Sequence, residues 1–303
     1  MVGNRLLYWD TLKGILIVLV VLGHCGTAVG QNLISLIYAF HMPLFILVSG
    51  YFSKKSDVMN WGGYKRLIII YFVFDVMYLS LDISTGYYSI QRILSPSFAL
   101  WYILSLIYWR LILQFIPSSM LEKKKIVLIA VFCVSILVGF IPIGTELSFQ
   151  RTFVFFPFFM LGYYMKQACL IEKVRKWNKI LAILTIIALS VIAFVYLPTF
   201  YGNSPYGVDF IHPLITRLLH LIIAISLCLS ILVVVPEKMR LVTQLGRYTL
   251  LIYLLHPPIV KTLKVILIKM NYELDLIASL FITLISISII YAIRNFRLFK
   301  YLQ

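Results

Sequence analysis

Apolar residues along this chain occur in long runs, and short segments rich in charge, proline and glycine separate one run from the next. A helix needs about 20 residues to cross the hydrocarbon of a bilayer, and most of these runs approach that length. Ten spans are predicted: Gly14–Gly30, Leu33–Phe52, Leu67–Ile83, Phe98–Ile116, Ile126–Ile143, Thr152–Met165, Ile180–Pro198, Leu214–Val235, Tyr248–Ile268 and Leu276–Ile293. The pattern predicts an all-α fold, namely a polytopic membrane helical bundle of about ten transmembrane helices.

Composition supports a membrane protein and argues against a soluble one. Of the 303 residues, 62% are hydrophobic and only 13% are charged, and the mean hydropathy is +0.97. Soluble domains are about 45–50% apolar and about 25% charged. Because the sequence shows no internal repeat or low-complexity tract, residues 1–303 are expected to form a single integral membrane domain.

The basic residues alternate between the two sides of the predicted spans. Twenty of the 27 Lys and Arg residues fall on one side, whereas the opposite loops hold Arg92, Arg151 and Lys269. Short loops rich in Lys and Arg stay in the cytoplasm, so both termini are predicted to be cytoplasmic. The net charge of +16 then reflects topology and contact with membrane lipid, with no nucleic acid as partner. We expect a multi-pass protein of the plasma or inner membrane.

The four cysteines, Cys25, Cys133, Cys169 and Cys228, are scattered in or beside apolar runs. Their spacing contains no CxxC pair and no metal-ligand set, which favours small core residues over redox or metal chemistry. We therefore expect no metal site and no permanently bound cofactor.

Three of the five histidines lie near the middle of predicted spans, where an ionisable side chain is costly and by default indicates function. His24 is eleven residues beyond Lys13, which places it about 16 Å along the first helix and near the middle of the bilayer. His41 and His256 each lie eight residues into their spans. A neutral imidazole can take the proton of a hydroxyl group near neutral pH, as acyl transfer to an alcohol requires. A hydrogen bond to a neighbouring helix is the structural alternative.

Four motifs follow one another along the chain. They are the opening segment from Arg5 to His24, FHMPLFILVSGYF from Phe40 to Phe52, FFPFFMLGYY from Phe155 to Tyr164, and YLLHPP from Tyr253 to Pro258. Together they resemble the membrane-bound acyltransferase-3 family, and most closely its fucose 4-O-acetylase-like branch. The family's signature of a basic residue, ten residues and a histidine corresponds to Lys13 and His24, and the histidine of its FHMP segment corresponds to His41. Ile70-Tyr71 departs from the Pro-Tyr that many relatives carry.

The resemblance implies about ten helices, a cytoplasmic acyl-CoA donor and O-acylation of a glycan or small hydroxyl compound. We accordingly expect a membrane O-acetyltransferase. It would move an acetyl group from cytoplasmic acetyl-CoA, the donor substrate, to a hydroxyl of a cell-surface glycan or of its lipid-linked sugar precursor. His24 is expected to be the general base or a transient acyl carrier, and His41 to orient the substrate or relay a proton.

Basic residues at the cytoplasmic ends of the spans are candidates for binding the CoA phosphates, because these anions cannot enter hydrocarbon. Lys65 and Arg66, at the base of the third span, are the acyl-CoA candidates, with plain positive-inside anchoring as the alternative. Lys13 could also meet phosphate, or pair with Asp10 three residues earlier on the same helix face. Asp10 is expected to be orienting or structural.

Arg151 lies against the positive-inside pattern, a few residues before the aromatic FFPFF segment. It is a candidate to bind polar groups of the acceptor or an oxyanion, and interfacial anchoring is the alternative. Trp101 and Tyr102 are further acceptor candidates because aromatic rings stack on sugars, although interfacial aromatic belts look alike. Asp75 and Arg110 fall at similar depth, which predicts a buried structural ion pair.

Two other functions fit intramembrane histidines. A proton-coupled transporter could use them as a relay, although no matching pair of broken helices is evident in the two halves of the sequence. A membrane haem protein could use His24 with His41 or His256 as axial ligands. A Soret band in the visible spectrum would distinguish the haem protein from the acyltransferase.

Overall fold

The structure of the protein is a computed structural model that describes residues 2–26, 30–56, 61–84 and 94–296. Residues 27–29 of the first predicted span lie outside these ranges. Arg92, Arg297 and Lys300, which contribute to the charge alternation, also lie outside them. The described ranges hold all of the candidate site residues.

Helices dominate the described ranges, which contain thirteen α-helices and no strand. In chain order they are α1 (Val2–Gly23), α2 (Gln31–Phe52), α3 (Trp61–Ser84), α4 (Trp101–Phe115), α5 (Ser118–Glu122), α6 (Lys124–Leu137), α7 (Phe149–Gln167), α8 (Leu170–Val174), α9 (Lys179–Tyr196), α10 (Ile211–Val234), α11 (Arg240–Arg247), α12 (Thr249–Lys269) and α13 (Leu276–Ile293). The all-α prediction is confirmed.

Each of the ten predicted spans overlaps one of the longer helices, and α5, α8 and α11 are short connecting helices. In the described part of the chain, six segments are long and apolar enough to cross a membrane: α2, Phe98–Phe115, α9, α10, α12 and α13. The chain is therefore a multi-pass membrane protein. The count of ten spans and the cytoplasmic location of the termini stay predictions.

The predicted range of the first span, Gly14–Gly30, was wrong at both ends. The helix begins at Val2, well before Gly14. Side chains in this earlier part, such as Tyr8 and Trp9, are buried against the rest of the protein. It ends at Gly23, and the turn that follows contains Gly26 with a φ of +69°, a left-handed conformation that favours glycine. His24 therefore lies in the turn directly after α1 and not within a continuing helix.

The helices form two compact units. The first unit contains Met1–Phe45, Glu172–Phe200 and Ile222–Gln303, and the second contains Ile46–Ile171 and Tyr201–Leu221.

In the first unit, α1 and α11 approach each other through their backbones. A Cβ atom added to Gly14 would lie 2.0 Å from the carbonyl oxygen of Val242, and one added to Gly246 would lie 1.7 Å from that of Asp10. Real Cβ atoms do not come so close, so only glycine allows this helix packing. Helices α12 and α13 pack against α1 and against each other. A small apolar core elsewhere in the unit is formed by Ala39, Ala193, Ile223 and Leu227.

In the second unit, α7 is the central helix and packs against α4 and α6. The end of α2 crosses α7 at Gly50 and Gly162, where an added Cβ would lie 1.9 Å from a backbone oxygen of the facing helix. The indole nitrogen of buried Trp109 donates a hydrogen bond to the carbonyl oxygen of Thr152 at 2.7 Å, which ties α4 to α7. The aromatic FFPFF segment is thereby part of the packed interior of this unit.

Candidate active site

Two histidines of the first unit contact each other through their rings. The ring centroids of His24 and His256 are 4.9 Å apart, with the planes tilted by 55°. His24 is partly exposed at the end of α1, and His256 is fully buried in α12. We call this pair and its neighbours the histidine site.

The proton of the neutral His256 ring is fixed by the helix that carries it. Its Nδ1 lies 3.0 Å from the carbonyl oxygen of Ile252. A carbonyl can only accept a hydrogen bond, so Nδ1 carries the hydrogen and Nε2 is the bare acceptor. This Nε2 atom is buried and has no hydrogen-bond partner among the described residues.

His41 is buried in α2 and has the same kind of bond to its own helix. Its Nδ1 lies 2.7 Å from the carbonyl oxygen of Ile37, and its ring packs edge-on against Tyr38 with centroids 4.8 Å apart. His24 interacts electrostatically with both His41 and His256. His24 is in direct ring contact with His256, a residue to which the sequence assigned no role in acyl transfer.

Lys264 of α12 brings a cationic side chain to the same turn. Its Nζ donates a hydrogen bond to the carbonyl oxygen of His24 at 3.2 Å. The neighbouring Cys25 is buried, and its Sγ lies 3.6 Å from the carbonyl oxygen of Ser279 and 3.7 Å from Oγ1 of Thr283. These contacts anchor the turn to α12 and α13.

Asp10 links two basic residues at the predicted cytoplasmic end of α1. Its Oδ1 lies 2.8 Å from Nζ of Lys13, and its Oδ2 lies 3.6 Å from Nε of Arg247 in α11. Lys13 is therefore paired with the carboxylate on its own helix face. Arg247 has the more exposed side chain, and nothing in the sequence pointed to it.

The second unit contains a basic cavity of about 340 Å³, lined by Phe52, Ser53, Lys54, Ser56, Gly63, Tyr64, Arg110 and Gln114. The side chain of Gln114 bridges two backbone groups at its edge, the carbonyl oxygen of Lys54 at 3.1 Å and the amide of Ser56 at 3.2 Å. Two cations together with hydroxyl and amide groups suit an anionic ligand. We call it the basic cavity.

Lys65 and Arg66 do not line this cavity: Lys65 is exposed and Arg66 is partly buried near the start of α3. The expected ion pair between Asp75 and Arg110 was wrong. Asp75 instead accepts a hydrogen bond from the backbone amide of Ser97 at 3.1 Å, and in the described part of the chain no salt bridge joins it to Arg110. Matching depth on two helices does not fix the rotation of either helix, which explains the error.

Trp101 contacts both of the other acceptor candidates. The guanidinium of Arg151 lies over its ring, 4.9 Å from the centroid, and Nε of Arg151 donates to the carbonyl oxygen of Tyr201 at 3.1 Å. The ring of Tyr102 lies edge-on to that of Trp101, with centroids 6.3 Å apart, and its hydroxyl is bonded to Oγ of Ser49. Both aromatic side chains are buried.

Arg217, which the sequence left unassigned, is buried in α10. Its Nη atoms donate to the carbonyl oxygens of Ser135 at 3.2 Å and Ser204 at 2.7 Å, and its guanidinium lies 4.5 Å from the ring centroid of Tyr206. Burial raises the pKa of the Tyr206 hydroxyl, and the charge of Arg217 opposes that rise. Arg217 and Arg151 thus hold the connection between α9 and α10.

The family model described as "Acyltransferase domain" matches residues 6–294, nearly the whole chain. The chain belongs to the acyltransferase-3 family. This acyltransferase-3 protein is therefore a membrane acyltransferase, and the family resemblance seen in its motifs is confirmed. The fucose 4-O-acetylase-like branch stays a prediction. No curated protein and no solved structure matches the chain.

The residues of this acyltransferase that sequence reasoning missed carried weak signals. His256 was seen as an intramembrane histidine within the YLLHPP motif, but its pairing with His24 depends on how α1 and α12 pack. For Lys264 the sequence shows only a basic residue inside the predicted span Tyr248–Ile268. Lys264 comes eight residues after His256 on α12, which is slightly more than two turns of the helix. Both side chains therefore lie toward the same side of α12 and contact the segment that carries His24.

Proposed function

We propose that the protein is an O-acetyltransferase that moves an acetyl group from cytoplasmic acetyl-CoA to a hydroxyl of a cell-surface glycan or of its lipid-linked precursor. The observation that carries the proposal is the ring contact of His24 with His256, in a chain whose family is one of acyltransferases. An imidazole with a bare nitrogen can serve as general base or accept an acyl group.

His24 is the residue to which we assign the chemistry. His24 is partly exposed and His256 is fully buried, so a substrate can contact His24 before it contacts His256. As a general base it would remove the hydroxyl proton, and as an acyl carrier it would hold the acetyl group between two transfers. Lys264 would stabilise the negative charge that develops beside it, and His41 would orient the substrate or relay a proton.

The basic cavity is our candidate for the anionic end of acetyl-CoA. Lys54 and Arg110 supply two positive charges, and Tyr64 and Gln114 supply hydrogen-bonding groups. The sequence-based candidates Lys65 and Arg66 lie outside the cavity lining, and Lys13 is paired with Asp10. Because the charges of acetyl-CoA lie on its phosphates, these would stay in the cavity, and the uncharged pantetheine arm would carry the acetyl group away from it.

The contact of Arg151 with Trp101 is our candidate for the acceptor side. The buried ring of Trp101 holds the guanidinium of Arg151, and a guanidinium donates hydrogen bonds to sugar oxygens. The positive-inside pattern puts Arg151 at the outer side, where surface glycans are completed.

The family and the geometry of the histidine pair favour an acyltransferase over the two alternatives, a proton-coupled transporter and a membrane haem protein. Membership of an acyltransferase family favours group transfer over transport. For a haem protein, the rings of His24 and His256 are in direct contact, which leaves no room for a porphyrin plane between them.

Mass spectrometry of surface glycans from cells with and without the protein tests the proposed function. Some glycan hydroxyls should be free in cells without the protein and acetylated in cells with it. The glycan repeats of the cells with the protein should then be heavier by an acetyl group less the hydrogen that it replaces. Transfer of isotope-labelled acetyl from acetyl-CoA to these glycans in isolated membranes would identify the donor. Identical glycans from the two strains would contradict the proposal.

Replacing Arg110 by methionine should raise the KM for acetyl-CoA about tenfold, since a hydrogen bond to a charged group contributes about 1.5–3 kcal/mol. The KM for the acceptor should stay the same. Steady-state kinetics in membrane vesicles checks this result. The matched control is Lys123→Met, which removes an exposed cation between α5 and α6. An equal effect of the two substitutions on the KM for acetyl-CoA would mean that the basic cavity does not hold the donor.

A further inference from the structure

His256 presents a buried acceptor atom that the described residues leave unsatisfied. The side chain is fully buried, and its Nε2 has no hydrogen-bond partner there. Buried polar atoms in folded proteins are nearly always paired. The atom is therefore placed to accept a hydrogen bond from a group that moves or binds during function.

The proton of His256 is held on the opposite nitrogen by helix α12. Nδ1 donates to the carbonyl oxygen of Ile252 at 3.0 Å, and the ring also interacts with the carbonyl of Tyr253. Pro257 follows His256 and has no N–H to donate to the Tyr253 carbonyl as an ordinary helical residue would. The carbonyl groups of Ile252 and Tyr253 thus both hold the proton on Nδ1, which leaves Nε2 without one.

The ring of His24 is the neighbour that can supply the missing hydrogen. Its centroid lies 4.9 Å from that of His256 with the planes tilted by 55°. His24 lies in a turn after α1, and the torsion that turns an imidazole about its Cβ–Cγ bond is broad. A rotation of this ring can bring one of its N–H groups to Nε2 of His256 without moving either helix.

We propose that His256 is a positioning residue for His24: its Nε2 accepts a hydrogen bond from one ring nitrogen of His24, so that the other nitrogen faces the substrate without a proton. The inference rests on the proposed function and deepens it. Its physical basis is that a neutral imidazole carries one proton on one of two nitrogens, and a fixed acceptor decides which nitrogen that is.

The same hydrogen bond serves both routes of acyl transfer. In direct transfer, the bare nitrogen of His24 takes the hydroxyl proton while the hydroxyl oxygen bonds to the acyl carbon. The C–S bond then breaks, and the proton passes from His24 to the CoA sulfur. In the two-step route, the bare nitrogen attacks the thioester carbon, the C–S bond breaks and CoA leaves as thiolate. The acceptor hydroxyl oxygen then bonds to the acetyl carbon, the C–N bond breaks, and the hydroxyl proton passes by way of the freed His24 nitrogen to the CoA thiolate. In each case His24 becomes cationic, and His256 stabilises it by accepting its second N–H.

Two substitutions of His256 separate this role from packing. In His256→Asn, the amide nitrogen can replace Nδ1 and donate to Ile252, but no atom replaces Nε2. In His256→Gln, the amide oxygen reaches the position of Nε2 and can accept from His24. Both side chains are polar and smaller than or similar to histidine, so thermal unfolding of the purified variants in detergent controls for folding.

We expect His256→Asn to lower kcat by about 10- to 100-fold, as loss of a hydrogen-bond partner of a functional histidine typically does. The KM for acetyl-CoA should not change. His256→Gln should keep most of the activity. Wild-type kcat in the Asn variant, or an equal loss in both variants, would overturn the proposal. Absence of acetyl transfer by the wild-type protein would instead contradict the proposed function.

A spectroscopic measurement tests the hydrogen bond without any assay of activity. In histidine-labelled protein in lipid nanodiscs, the ¹⁵N resonances of His256 should show a proton on Nδ1 and a hydrogen-bonded, unprotonated Nε2. The Nε2 resonance should shift in the His24→Ala variant and should not shift in His212→Ala, which changes an exposed histidine at the start of α10. An unchanged resonance in His24→Ala would overturn the proposal whatever the protein catalyses.

Discussion

Replacing His24 by alanine is expected to abolish measurable acyl transfer while the amount of protein in the membrane stays the same. Loss of a general acid or base typically lowers the rate by about 10²- to 10⁴-fold, and loss of an acyl carrier removes a covalent step altogether. The turn that carries His24 is held through its backbone by Lys264 and through Cys25, so the truncation leaves those contacts intact. Transfer of labelled acetyl groups in isolated membranes measures the loss.

His212 offers a matched control for this experiment. It is an exposed histidine at the start of α10 and belongs to the second unit, so His212→Ala should leave transfer unchanged. Comparable activity of His24→Ala and wild type would remove His24 from the mechanism. Loss of the protein from the membrane would indicate a folding role instead, and immunoblotting of the same membranes distinguishes that outcome.

Alanine at Gly14 or at Gly246 is expected to destabilise the protein strongly. The added Cβ would lie 2.0 Å from the Val242 carbonyl oxygen in one case and 1.7 Å from that of Asp10 in the other. Overpacking of a tight interior typically costs about 1–3 kcal/mol, and here the neighbouring atom is backbone that cannot rotate away. We expect a clear fall in the Tm of the purified protein in detergent for each substitution.

The control for these substitutions is Gly207→Ala. Gly207 lies in the connection between α9 and α10, and an added Cβ there meets no atom within 4 Å. Its Tm should match that of the wild type. If Gly246→Ala unfolded at the same temperature as Gly207→Ala, the backbone contact between α1 and α11 would be contradicted.

The sequence predicted the helices well because apolar periodicity and charge are local signals. Runs such as Leu276–Ile293 gave the helix bounds without error, since charge and a capping Asp275 mark the ends. The boundary of α1 could not be predicted in this way. Its amino-terminal half is polar enough to resemble a cytoplasmic tail, and it is helical because α11 covers it.

The sequence could point to a candidate site residue only where the side chain itself costs free energy to bury in a membrane span. An ionisable histidine within a predicted membrane span is unusual, which is why the sequence singles out His24 and His41 as candidates. The pairing of His24 with His256 and the turn-facing position of Lys264 depend on how separate helices rotate against each other. Arg110 was misjudged for the same reason, because an estimated depth does not fix the direction in which the side chain points.

Several membrane helices of the protein are short for an ordinary bilayer. The segment Phe98–Phe115, α9 and α13 have 18 residues each, or about 27 Å at 1.5 Å per residue, against a hydrocarbon core of about 30 Å. Tilting shortens the reach of a helix, and a short helix is accommodated where lipid thins around it or flanking polar residues reach inward. Helix α9 is the least buried of the three, because only 11% of it is buried within the protein. The other candidate spans, α2, α10 and α12, have 21–24 residues. Bilayer thickness should therefore act on α9 first, and lipids with shorter acyl chains should favour it in reconstituted protein.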